Sequence, residues 1–195
     1  MTVYIVFGLV MLGVVVVSLL VTGNLAATFN ERAKADLRAA LEPLAAELDG
    51  TVDLENASIA GRYGGQITSA KVISAPGGMG RLFQTTYIEP AGGTPWTALV
   101  RRPKDENEEW ERTFSGEPAA LAPAIHQNLD GLLPYPGWFE LTYDPEAGAL
   151  RLTRAMQSRR DIPTLERFRL YLELLDRVAA ENRRVQTDAE EGVAT

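Results

Sequence analysis

The spacing of hydrophobic positions changes along this chain, and each change marks an element. Residues 3–22 read V-Y-I-V-F-G-L-V-M-L-G-V-V-V-V-S-L-L-V-T, apolar all round, and no Asp, Glu, Lys or Arg occurs before Glu31. Twenty residues at about 1.5 Å each cover about 30 Å, the thickness of a bilayer's hydrocarbon core. Lipid offers no partner for unpaired backbone groups, so such a run must be helical there. A core helix of a soluble protein would carry a polar face, whereas Ser18 and Thr22 are the only small polar side chains here. A cleavable signal peptide has a basic n-region, an apolar core of about 7–15 residues and a small-x-small cleavage site. Met1-Thr2 supplies no basic residue and Asn24-Leu25-Ala26-Ala27 is a poor cleavage site. The expectation is an uncleaved signal-anchor over residues 1–23, crossing the lipid bilayer through residues 3–22.

Gly23-Asn24 is a plausible stop for that helix, Gly being favoured just past a helix end. A new start follows, with Thr28 as N-cap and Glu31 at the capping-box position. Phe29, Ala33, Leu37, Leu41, Leu44 and Leu48 then recur every three or four residues, which predicts an amphipathic connecting helix over residues 24–50. Pro43, lacking an N–H, should kink or restart it near Glu42, and Asp49-Gly50 should end it. Its polar face mixes both charge signs, which suits a helix covering a sheet better than one lying on anionic lipid.

From Thr51 the pattern alternates with period two. Strands are expected at 52–54, 57–63, 66–74, 81–88 and 96–102, with Gly64-Gly65 as a two-residue hairpin turn. Short connections make an antiparallel meander the natural pairing of these strands. Trp110, Arg112 and Phe114 suggest a further strand, and Leu121, Ile125, Leu129 and Leu132 a short helix within 118–132. Trp138–Tyr143 and Ala149–Arg154 form a hairpin across Asp144–Gly148. Asp161-Ile162-Pro163 should open a last helix running to about Gln186, with 187–195 a disordered tail. In that helix Leu165, Phe168, Leu172, Leu175 and Ala179 follow coiled-coil a/d spacing. Tyr171, Leu174 and Val178 widen the stripe to nearly half the circumference, which predicts a helix laid against a sheet. Glu166, Arg169, Glu173, Asp176, Arg177, Glu181 and Arg184 should face water. The fold class is therefore α+β: a single transmembrane helix, then a mainly antiparallel sheet over residues 51–186, flanked by an N-terminal and a C-terminal amphipathic helix.

All 19 basic and 26 acidic residues follow position 30, so the part beyond the anchor carries the whole net charge of −7. That balance argues against nucleic acid, which requires a basic face. With no cysteine in the chain, thiolate metal sites and cysteine nucleophiles are excluded. The loop Gly77-Gly78-Met79-Gly80 matches neither a P-loop nor a dinucleotide fingerprint, and no helix follows it to hold an anion. His126, the one histidine, has no H-E-x-x-H around it, and no serine lies in G-x-S-x-G. Asp105, Glu106, Glu108 and Glu109 lack the ligand spacing of a calcium loop. Asn56-Ala57-Ser58 is an isolated sequon, and Arg101-Arg102, Arg159-Arg160 and Arg183-Arg184 each lie near acidic residues. These patterns nominate no catalytic, cofactor-binding or metal-ligating residue, and no cofactor.

The functional expectation is a single-pass, membrane-anchored binding, assembly or scaffold module for a protein partner, expected to be another membrane protein. The alternatives are a tethered enzyme using carboxylates in a cleft between sheet and helix, and a lipid or small-ligand carrier. Arg32, Lys34 and Arg38 follow the apolar run closely, and flanking basic residues tend to stay on the cytoplasmic side, so a cytoplasmic domain is expected.

Overall fold

In the computed structural model, every residue is described except 1, 79, 90–91, 103–110, 118, 131–136, 157–160 and 194–195. The acidic residues Asp105, Glu106, Glu108 and Glu109 lie outside the described residues, as do Leu132 and the pair Arg159-Arg160. The chain divides into two compact units, Met1–Ala39 and Ala40–Thr195.

Helix α1 spans Thr2–Glu47 without interruption and contains Pro43. The stop expected at Gly23-Asn24 and the restart at Thr28 are therefore corrected. Gly in a helix costs only about 1 kcal/mol relative to Ala, which long helical stretches on both sides offset. Gly23 also has open space around its Cα and no contact that demands a turn. Glu31 pairs with Lys34 at 3.7 Å instead of closing a capping box. Among the described residues α1 is the one helix long and apolar enough to cross a membrane. Its apolar side chains from Met11 to Val21 and at Leu25 and Phe29 are exposed, the reverse of a buried core helix.

The end of α1 belongs to the second unit and enters its core: Leu41, Leu44, Ala45 and Leu48 are buried. A Schellman motif closes the helix, with Asp49 N donating to Ala46 O at 3.2 Å, Gly50 N to Ala45 O at 2.9 Å, and Asp49 at φ 46°. Eight strands follow: β1 Thr51–Asp53, β2 Ser58–Tyr63, β3 Gln66–Ser74, β4 Arg81–Ile88, β5 Trp96–Arg102, β6 Glu111–Gly116, β7 Gly137–Asp144 and β8 Ala149–Met156. A 3-10 turn at Ala119–Leu121 leads into helix α2, Ala122–Asp130, between β6 and β7. Helix α3 spans Leu165–Val193. Its cap is Thr164, whose Oγ1 accepts from Arg167 N at 3.4 Å, so Asp161–Pro163 lie just outside it. The helix continues past Gln186 through residues expected to be a disordered tail.

The strands form one antiparallel sheet in the order β1-β2-β3-β4-β8-β7-β5-β6. The meander holds from β1 to β4 and then stops. Strand β4 pairs with β8, and the hairpin β7–β8 separates it from β5. Alternate residues of the central strands point into the core: Phe83, Thr85 and Tyr87, then Leu150 and Leu152, Phe139, Leu141 and Tyr143, and Trp96, Ala98 and Val100 are all buried. Helix α3 lies on this face, with Phe168 meeting Phe83 edge-on at 6.3 Å and Tyr171 meeting Phe139 at 6.0 Å. Helix α2 packs beside α3 and over β5, burying Leu121, Ile125 and Leu129 from its own segment. In α3 Phe168, Leu172, Leu175, Val178 and Ala179 are fully buried while Glu166, Arg169, Glu173, Asp176, Arg177 and Arg184 are exposed. The coiled-coil stripe is used up against the sheet.

Candidate functional site

Two places gather polar chemistry: the face of the sheet away from α2 and α3, and the seam between α3 and the ends of β4 and β5.

The antiparallel register carries the outer face across all eight strands in rows. One row runs Asp53, Ser58, Lys71, Gln84, Thr153, Glu140, Leu99, Thr113 from β1 to β6. The next runs Thr51, Ala60, Ser69, Thr86, Arg151, Thr142, Thr97, Ser115. In these strands the outward set is partly or fully exposed, apart from Leu82, Ala149 and Thr153, whereas the inward residues at the middle of β4, β8, β7 and β5 are buried. Hydroxyl side chains dominate the rows, and Ile67, Ile73, Leu99 and Trp138 add apolar surface. Leu99, Arg101, Glu111, Trp138 and Glu140 line a shallow hollow of about 550 Å³ on this face.

Most charges on the outer face are already matched within the chain. Arg101 and Glu111 pair across β5 and β6 at 3.8 Å. Arg151 reaches Asp144 at 3.1 Å, and Ala147 N donates to the same carboxylate at 3.1 Å. The turn amide first, then Arg151, holds the Asp144 carboxyl below its ordinary value of 3.8. Asp53 is lowered likewise by the Asn56 side chain and backbone amide. Arg62 donates to Gly65 O at 3.1 Å. Lys71 and Glu140 remain, and neither has an ion pair or side-chain hydrogen bond among the described residues.

The seam under α3 is polar. Tyr87 donates to Asp176 Oδ1 at 2.8 Å, and Trp96 Nε1 donates to Asn182 Oδ1 at 2.9 Å. Burial, followed by the bond to Asp176, raises the Tyr87 hydroxyl well above the ordinary tyrosine range. Glu89, only 2% exposed, meets Arg183 at 2.6 Å. The crossing from β4 to β5 is pinned at Glu89, Gly92 and Thr94. Glu89 N donates to Gly148 O at 2.6 Å, Tyr143 donates to Gly92 O at 2.8 Å, and Thr94 donates to Glu117 O at 2.6 Å. Thr85 Oγ1 and Asn182 Nδ2 are buried without a partner among the described residues. This arrangement fixes the register of α3 on the sheet.

The residues singled out by sequence are dispersed. His126 Nε2 donates to Thr113 O at 3.3 Å, so the one histidine braces the outermost strand β6 from α2. In the glycine-rich loop Gly78 N donates to Ala75 O and Ala75 N to Gly80 O, both at 3.0 Å; these amides are spent on the turn itself. Asn56 Nδ2 donates to Asp53 at 2.6 Å. Arg184 pairs with Glu181 at 2.7 Å. Among the described residues no group of three or more His, Asp or Glu side chains is placed to hold a metal ion. Sequence reasoning put Glu89 in a Gly- and Pro-rich loop and missed its burial, and nothing local marks its partner 94 positions later. It also missed Lys71 and Glu140, whose relation appears only once the strand order is known. No family model matches the chain, and no curated protein or solved structure matches it either.

Proposed function

We propose that this protein is a single-pass, membrane-anchored binding and assembly module that presents the outer face of its sheet to a protein partner in the same membrane. One observation carries the reading: helices cover the central strands on one face, while the other face stays accessible across all eight strands. Two-layer domains commonly leave one antiparallel face to water, with polar side chains outward. Here hydroxyl side chains are interspersed with the charges of Lys71, Glu140 and Arg151 and with apolar Ile67, Ile73, Leu99 and Trp138, and a hollow opens at Trp138. The shallowness of that hollow suits a macromolecular surface better than an enclosed small ligand. The acidic charge and the absence of a basic face speak against nucleic acid. The exposed apolar length of α1 supports an anchor, and Arg32, Lys34 and Arg38 support a cytoplasmic domain.

The test uses the full chain in its own membranes, with a photoreactive residue at Thr142 on the outer face or at Arg177 on the exposed side of α3. Thr142 should give a discrete cross-linked adduct and Arg177 none. Equal labelling from both positions, or recovery of the chain in the alkaline-carbonate supernatant, overturns the reading.

A further inference from the structure

Lys71 and Glu140 are opposite in sign, unpartnered among the described residues, and placed symmetrically. They sit in one row, Lys71 on β3 and Glu140 on β7, with β4 and β8 between them. The line between β4 and β8 is thus one and a half strands from each. Three strand spacings of about 4.8 Å put them about 14 Å apart, too far to pair within one chain.

From this symmetry we infer that the outer face pairs with the same face of a second copy of this chain, about a two-fold axis running along the β4–β8 line. This rests on the reading of the outer face as a binding surface and names its occupant. A rotation about that axis lays β3 over the second copy's β7, and β4 over its β8, at the same height along the strands. Lys71 then faces the second copy's Glu140 and Glu140 faces its Lys71, as a closed two-fold interface requires. Two residues further along the strands, the operation lays Ile73 on the second copy's Trp138 and Leu82 on its Ala155. Two residues the other way, Ser69 meets Thr142 and Thr86 meets Arg151. Near the axis apolar Ile73 and Leu82 meet apolar side chains, hydroxyls meet polar groups and the charges of Lys71 and Glu140 cancel, while further out Leu99 meets Ser58. Sheets packed this way lie about 10 Å apart, with strands aligned within about 30°.

The absence of cysteine makes the test clean. Full-length chains bearing Lys71→Cys or Glu140→Cys, each with its own tag, are co-expressed and treated in the membrane with a thiol cross-linker matched to the about 10 Å between packed sheets. The mixed pair should give a cross-linked dimer carrying both tags. Lys71→Cys alone should stay monomeric, because the two copies' Lys71 positions are offset by three strands. No mixed dimer, or equal cross-linking of Lys71→Cys with itself, overturns the inference. The Thr142 photo-adduct then separates the two readings. At twice the chain's mass it supports self-pairing. At any other mass it removes self-pairing but keeps the outer face as a binding surface, and without any adduct both fall.

Discussion

Gly61 shows how much of this fold turns on single atoms. A Cβ on Gly61 would collide with the Leu48 carbonyl oxygen, and one on Gly50 with the Ala60 carbonyl oxygen. The two glycines let the end of α1 cross the backbone of β2, where Arg62 N donates to Leu48 O at 2.6 Å. Because the obstacles are backbone atoms, neither side can yield by changing a rotamer. Gly61→Ala should therefore lower stability by about 1–3 kcal/mol, the usual range for overpacking. Gly65→Ala, in open space but at φ 86°, should cost less, through backbone strain alone. Chemical denaturation of the two variants gives the comparison, and equal losses would show that the crossing is not tight. Gly64-Gly65 was readable as a hairpin turn because positive φ at two adjacent residues is a local demand. Gly50 and Gly61 were not, since their demand is for closeness to a distant segment.

At the scale of elements, local periods located the strands and the width of the α3 stripe located its partner. Leu175 is fully buried in that stripe. Truncating it to Ala should cost about 2–5 kcal/mol, and Leu175→Asp should unfold the domain, because a carboxylate buried at that depth loses its hydration. If Leu175→Asp instead leaves the melting unchanged and alters only the oligomeric state, α3 is a dimerisation arm. Strand order was the part that could not be read. Alternation says that a segment is a strand with one face inward, and it is silent on which strand lies alongside. The default of neighbour pairing held for β1 to β4 and failed at β5, where the Glu89–Pro95 crossing passes the ends of β8 and β7. What drives that choice is long-range: Trp96 meets Asn182, and Glu89 meets Arg183. The helix break expected at Gly23-Asn24 failed for the opposite reason. A weak local signal was weighed alone, when the apolar run before it and the amphipathic run after it both favour helix.

For the whole molecule, the question is where the self-sufficient domain begins. The compact unit starts at Ala40, and Leu41, Leu44, Ala45 and Leu48 are each at most 3% exposed. They belong to the same core as Phe168 and Leu172, and Glu47 ties the helix end to Arg169 on α3 at 2.8 Å. A chain starting at Ala40 should be soluble and melt cooperatively. A chain starting at Thr51 loses three buried leucines and the Leu48 carbonyl that β2 uses. Burial of a Leu side chain stabilises by about 1.5–3 kcal/mol, so the shorter chain forfeits roughly 5–9 kcal/mol from leucines alone. That equals much of the 5–15 kcal/mol that holds an ordinary domain together. The expected result is aggregation or molten behaviour from Thr51 and a sharp thermal transition from Ala40. If both fragments melt alike, the last turns of α1 are an appendage and the domain is the sheet with α2 and α3.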